Sequence, residues 1–380
     1  MVKKMLLKIL GLIISLLPKR YILFESVPDY SDNSFAVYNY LLKNWNSKKF
    51  KLMWVAKKNH PQIPNIIRTN DFLSKLKYEY YATRAKVLVY CNGFIHKKNK
   101  KQISVFLCHG SKSKLTRGLY EPPKDLDYIL VQADMFHEAV KYGYNLSEKT
   151  QMVTLGYPRN DDLLIQHDID REKLFGKEFE KLIVWYPTYR QHRGSKRNVS
   201  SITLPVIHDE TAALKLNEKA KELGILIALK PHFAQDVSYI KNQELSNILI
   251  INDEFLNKNN IRSYQLLSVC DSLLTDYSSV YYDYLLCDKP IGLVWEDYEG
   301  YKSENGFALD PDVVYSGGEK IFNVEDFCTY LERIAEGKDI LKEERTKIKN
   351  LSNVYQDANS SKRVAEFIIN LAENSQRRHV

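Results

Sequence analysis

Short apolar runs rich in Val, Ile, Leu and Tyr recur along this chain, and most of them stop at a polar, chemistry-bearing segment. The first series falls at residues 21–26, 50–56, 86–91, 103–107, 128–132 and 153–155, separated by longer polar segments with helical potential. Strands alternating with helices require a parallel α/β sheet covered on both faces. A second series follows at residues 182–186, 225–230, 248–251, 272–275 and 290–295. The chain therefore reads as two doubly wound halves, and its 380 residues at 44% hydrophobic content are enough for two cores. Open sheets of this kind bind ligands outside the carboxyl ends of their strands. The polar segments lie at those ends, so a central cleft between the halves is expected to gather them into one site.

Composition narrows the function classes. A 27% charged and 12% aromatic chain without a long low-complexity tract is a folded globular protein. The net charge of +8, with clusters at Lys97, Lys98, Lys100 and Lys101 and at Lys112, Lys114 and Arg117, suits an anionic partner. The first cluster reads as a solvated loop tip. Nucleic acid is not expected, because aromatic residues are not interleaved with the basic ones as a stacking platform requires. Five scattered cysteines without a CxxC pair argue against a disulfide framework or a zinc site, and for a reducing compartment. Neither GxGxxG nor GxxxxGK[ST] nor HExxH occurs, so no cofactor and no metal are expected.

The segment from Met5 to Leu17 is almost wholly apolar and is flanked by Lys3 and Lys4 before it and Lys19 and Arg20 after it. It falls short of the roughly 20 apolar residues that span a bilayer, and Lys8 interrupts it. A helix lying in the membrane surface, its cations on anionic headgroups, is the favoured reading; a first helix packed on its own domain is the alternative.

The run Leu273-Leu274-Thr275-Asp276-Tyr277-Ser278-Ser279 reads as a strand that stops at two hydroxyls where a helix begins. Backbone N–H groups at a helix start, the helix dipole and compact hydroxyl donors together suit a phosphate; an ordinary N-cap is the bland alternative. Thr275, Asp276, Ser278 and Ser279 are the candidates there. His109 follows one strand end and precedes Gly110, Lys112 and Lys114, the setting of a base near an anion. His232, after Lys230 and Pro231, repeats the arrangement in the second half. Lys230 suits a phosphate as a point charge, and Arg190, with Thr188 nearby, as a bidentate partner. Arg159 is expected to brace the interdomain hinge through Asp161 or Asp162; a bidentate contact to phosphate or carboxylate is the alternative.

Taken in order, these segments resemble the CDP-glycerol glycerophosphotransferase family of teichoic acid and capsule polymer enzymes. Phe24-Glu25-Ser26 with Ser31-Asp32-Asn33 is similar to the family's opening motif. Cys108-His109-Gly110 resembles its WHG[ST], residues 156–161 its GxPRND, and residues 186–190 its APT[YW]R. Residues 229–232 resemble R-x-HP, residues 274–283 ITDYSSxxxD, and residues 357–363 the closing DGxxSxR. Cys108 stands where the family usually has Trp, and Ser111-Lys112-Ser113-Lys114 replaces T-P-L-K.

The resemblance implies a GT-B-like fold of two Rossmann-like domains. The expected layout is a membrane-surface helix over 1–20, an acceptor domain over 21–165, a CDP-donor domain over 166–355, and a C-terminal helix and tail over 356–380. It further implies transfer of glycerol-phosphate or ribitol-phosphate from CDP-glycerol or CDP-ribitol to a lipid-linked polyprenyl-diphosphate glycan, with release of CMP. The enzyme would work peripherally at the cytoplasmic face of the bacterial membrane. His109 and His232 become the catalytic candidates. Arg190, Thr188, Lys230, Thr275, Asp276, Ser278 and Ser279 fall on the donor side, and Lys112, Lys114 and Arg117 on the acceptor side. A GT-B glycosyltransferase using a nucleotide sugar is the competing enzyme reading; a basic scaffold without catalysis is the third.

Overall fold

The computed structural model describes residue 14 and residues 16–57, 63–115, 121–188, 204–231, 235, 237–241 and 244–374. His232, Arg190 and Arg117 lie outside the described residues, as does the N-terminal helix apart from residue 14 and residues 16–20. Among the described residues no helix is long and apolar enough to cross a membrane.

Two compact units divide the chain. The first takes Met1–Ser111, Arg117–Asp161 and Asp357–Val380; the second takes Lys112–Thr116 and Asp162–Gln356. In the first, seven strands run β1 (Tyr21–Ser26), β2 (Lys51–Ala56), β3 (Ile66–Arg68), β4 (Ala85–Cys91), β5 (Ile103–Phe106), β6 (Tyr128–Leu130) and β7 (Gln151–Val153). Their order is β3-β2-β1-β4-β5-β6-β7, with every pairing parallel. The order reverses between β1 and β4, and such a switch point opens a crevice at the strands' carboxyl ends.

The second unit repeats the plan with β8 (Lys181–Trp185), β9 (Ile225–Leu229), β10 (Ile248–Ile250), β11 (Ser272–Thr275), β12 (Ile291–Val294) and β13 (Glu319–Ile321). The order β10-β9-β8-β11-β12-β13 is again all parallel, with its switch point between β8 and β11. The central strands are apolar on both faces: Ile22, Leu23 and Phe24 in one sheet and Ile225 through Leu229 in the other are fully buried. Each large side chain among them contributes roughly 1.5–3 kcal/mol of burial, which is why these runs stand out in sequence.

Local packing fixes where the site-bearing helix of the first unit begins. In the Asp32–Asn44 helix, Val37, Tyr38 and Leu41 form the buried face. The Tyr38 ring meets Phe24 of β1 edge-on at 5.2 Å and Trp54 of β2 at 5.1 Å. Upstream, the Ser26 hydroxyl accepts the Ser31 N–H at 3.0 Å, holding the turn that delivers Asp32 to the carboxyl end of β1.

The C-terminal segment from Asp357 groups with the first unit. Its Ser360–Glu373 helix is docked by Asp161, whose carboxylate accepts the Ser360 and Ser361 N–H groups at 2.9 and 2.8 Å. Anions suit helix N-termini, where those donors have no partner within the helix. Gly156 makes the approach possible: at φ +78°, a Cβ there would fall 2.3 Å from the Ser360 hydroxyl. Arg363 completes the clasp, donating to the Leu155 carbonyl at 3.0 Å.

Candidate active site

In the first unit, three segments distant in sequence converge on His109. It follows β5 and carries its imidazole 64% exposed, whereas the Asp32 carboxylate facing it is only 6% exposed. Asp32 Oδ2 is hydrogen-bonded to His109 Nδ1. The other oxygen, Oδ1, accepts from Arg159 Nη1 at 2.8 Å, and the Arg159 side chain is itself buried. Asn92, just past β4, donates through Nδ2 to Asp32 Oδ2 at 3.2 Å.

Asn33 sets the spacing. Its buried amide donates to the Leu107 and Cys108 carbonyls at 2.9 and 3.1 Å, while its oxygen accepts the Arg159 N–H at 3.2 Å. One side chain thus ties the helix start, the β5 exit and the 158–160 turn together. Asp32, Asn92 and Cys108 all adopt left-handed backbone, with φ of 63°, 61° and 54°. Such conformations cost energy in non-glycine residues and cluster where function demands them.

Burial would push the Asp32 carboxyl up. The charges of Arg159 and His109 and its hydrogen bonds outweigh that and hold it well below the usual carboxylate range. The result is a permanent anion beneath an exposed imidazole.

Arg159 therefore does not brace a hinge through Asp161 or Asp162. Asp161 caps the final helix, and Asp162 pairs with Arg262 at 2.8 Å. Sequence proximity suggested those acids, yet the 158–160 turn directs the guanidinium to Asp32. Asp32, Asn92 and Arg159 are the site members that sequence reasoning did not assign; the resemblance of Ser31-Asp32-Asn33 to the family's opening motif was the available signal.

At the switch point of the second unit, Tyr186 to Thr188 leave β8 beside Asp276, which leaves β11. The Asp276 carboxylate accepts the Thr188 N–H at 2.8 Å and also the Thr188 hydroxyl. The Thr275 hydroxyl donates to the Tyr186 carbonyl at 2.8 Å. Thr188, Thr275 and Asp276 are thus bonded to one another's segments and shape the strand ends. Ser278 and Ser279 follow, both half-buried, and the Ser279 hydroxyl makes no capping bond to the Val280–Tyr284 helix. Tyr277 between them and the strand is fully buried, stacked 3.9 Å from Tyr301. Lys230, one residue past β9, pairs with the exposed Asp253 at 2.9 Å. With Asp253 in water and Lys230 half-buried, the pair contributes little to stability.

Lys112 and Lys114, expected within the first domain, belong to the second unit. Their loop is held there by a bridge between Lys114 and Phe307 and by the Ser113 hydroxyl against that of Tyr315 at 2.9 Å. Lys114 Nζ lies 5.8 Å from the Tyr301 ring centroid. Among the described residues no group of three or more His, Cys, Asp or Glu is arranged to hold a metal ion.

The family model for CDP-glycerol:poly(glycerophosphate) glycerophosphotransferase matches residues 10–370. The chain belongs to this family. It is a transferase of the glycerophosphotransferase type. The teichoic acid glycerol-phosphate primase of Bacillus subtilis is 22% identical over 329 residues, spanning 80% of this chain and 79% of that protein. The teichoic acid poly(glycerol phosphate) polymerase of Bacillus spizizenii is 25% identical over 334 residues, spanning 78% and 80%. A solved structure of the wall teichoic acid polymerase TagF, a variant soaked with CDPG, superposes with a TM-score of 0.71 at 18% identity, covering 95% of this chain and 90% of that one. The two parallel α/β sheets of this glycerophosphotransferase thus have the GT-B-like fold.

Proposed function

We propose that this glycerophosphotransferase transfers glycerol-phosphate or ribitol-phosphate from a CDP-alditol to a hydroxyl of a lipid-linked acceptor, releasing CMP, at the inner face of the cell membrane. The observation that carries this reading is His109 at the end of β5, exposed and held through Nδ1 by a buried anion, in a chain of this family. An imidazole so held has Nε2 available to take a proton from an attacking hydroxyl, and histidine is suited to that exchange near neutral pH.

In this reading the acceptor hydroxyl attacks the β-phosphorus and CMP departs. Phosphoryl transfer of this kind needs little covalent chemistry from the protein; positioning and charge stabilisation do most of it. His109 is the base. The hydroxyls of Ser278 and Ser279, with Lys230, Arg190 and His232, grip the pyrophosphate, and Thr188, Thr275 and Asp276 form the floor on which it rests. Lys112, Lys114 and Arg117 face the acceptor's anionic groups. The apolar N-terminal segment, with Lys3, Lys4, Lys19 and Arg20, rests on the membrane surface.

The donor assignment is tested by thermal shift of the full chain with CDP and UDP. A ligand that binds only the folded state raises the melting temperature. CDP at 100 times its Kd adds about 2.7 kcal/mol, and UDP at the same concentration is expected to add much less. Stabilisation by UDP alone would favour the nucleotide-sugar reading.

A further inference from the structure

The Asp32 carboxylate is buried, yet it faces an exposed imidazole rather than the interior. A carboxylate removed from water costs several kcal/mol unless paired, and folding alone would be served by an apolar residue. Two features show what the carboxylate is organised around. Its two oxygens are divided, Oδ1 to Arg159 and Oδ2 to His109 and Asn92. The residues that carry the contacts, Asp32 and Asn92, both sit in left-handed backbone, as does Cys108 immediately before His109.

The proton positions follow from donor and acceptor chemistry. Asp32 is an anion and only accepts, so His109 Nδ1 must carry a hydrogen to bond it. Asn92 Nδ2 lies 3.0 Å from the same Nδ1. It is a donor too, and both donate to Oδ2. Nδ1 therefore has no capacity to act as a base, and the lone pair of the neutral ring is on Nε2.

We propose that Asp32 is the positioning residue of His109, with Arg159 fixing Asp32 in place: the pair selects the Nδ1–H tautomer and aims Nε2 at the attacking hydroxyl. The inference rests on the assignment of His109 as the base. In the step it serves, the acceptor O–H proton moves to Nε2 as oxygen bonds the β-phosphorus. The bond from that phosphorus to the bridging oxygen breaks, CMP leaves with the electron pair, and the imidazolium returns its proton to solvent. Asp32 stays ionised throughout, stabilising the imidazolium through Nδ1–H, as buried carboxylates do behind catalytic histidines.

The deciding experiment is nitrogen NMR of the full chain labelled at histidine, with His109→Gln supplying the assignment, alongside steady-state CMP release by Asp32→Asn. The wild type is expected to show His109 as the Nδ1–H tautomer when neutral. Asp32→Asn, which offers Nδ1 an amide instead of an obligate acceptor, should lose that preference and lower kcat on the order of 10²–10⁴-fold, with KM for the donor within about threefold, the donor-binding groups being untouched. A purely structural Asp32 would lower the folded fraction and leave the tautomer and the kcat of the folded molecules unchanged. An Nε2–H tautomer in the wild type overturns the proposal even if Asp32→Asn does not fold. Loss of activity in His109→Gln with full activity in Asp32→Asn overturns it while sparing the base assignment; full activity in His109→Gln removes the base assignment itself.

Discussion

His109→Ala is expected to lower acceptor-dependent CMP release on the order of 10²–10⁴-fold, the usual contribution of a positioned general base. The melting temperature should change little, because the imidazole is largely in water and its removal leaves Asp32 still bonded to Arg159 and Asn92. The two readouts together separate catalysis from folding. A variant with near wild-type turnover would take His109 out of the mechanism. A variant that melts far below the wild type would show that the imidazole's role is in packing instead.

Arg159→Met carries the second large effect, on stability. Both Arg159 and Asp32 are buried, and removing one member of a buried pair typically costs about 3–5 kcal/mol, because the remaining charge loses its partner. For a unit of this size that lowers Tm on the order of 10 °C. The pH dependence has a definite sign. With Arg159 present, the Asp32 carboxyl is held far below the carboxylate range, so its stabilisation is complete above its unfolded value and is lost only as pH falls through the depressed folded one. Without Arg159 the folded carboxyl takes up its proton at higher pH than in the wild type. The deficit of Arg159→Met should therefore be largest at neutral pH and shrink on acidification. A deficit that grows as pH falls from 7 to about 4 would contradict the pairing. The double variant Asp32→Asn with Arg159→Met should be less destabilised than the sum of the single changes.

The strands that sequence reveals are those buried on both faces. β1 and β11 match their expected limits to the residue, β4 and β9 differ by one at an end, and β8 is shifted by one residue at both. β3 and β13 escaped, since each is a three-residue edge strand and Glu319-Lys320-Ile321 carries two charges. β7 lies at Gln151–Val153 rather than 153–155, because the chain beyond it is held by the Arg363 clasp instead of a neighbouring strand. Residues 272–279 were legible because strand, acid and hydroxyls are contiguous. The His109 cluster was legible only at the histidine: Asp32 lies 77 residues from His109 and 127 from Arg159. No local pattern records which acid a given arginine will meet once β1, β4 and β5 are side by side. Lys112 and Lys114 illustrate the same limit, since their position in the second unit depends on Phe307 and Tyr315.

CMP release is the direct readout of the proposed reaction. The full chain, in detergent with a lipid-linked glycosyl-phosphate acceptor, is given CDP-glycerol or CDP-ribitol, and His109→Ala is run beside it. CMP is expected from one of the two donors, dependent on both the acceptor and His109. Folded wild-type protein that releases no CMP from either donor would contradict that reaction.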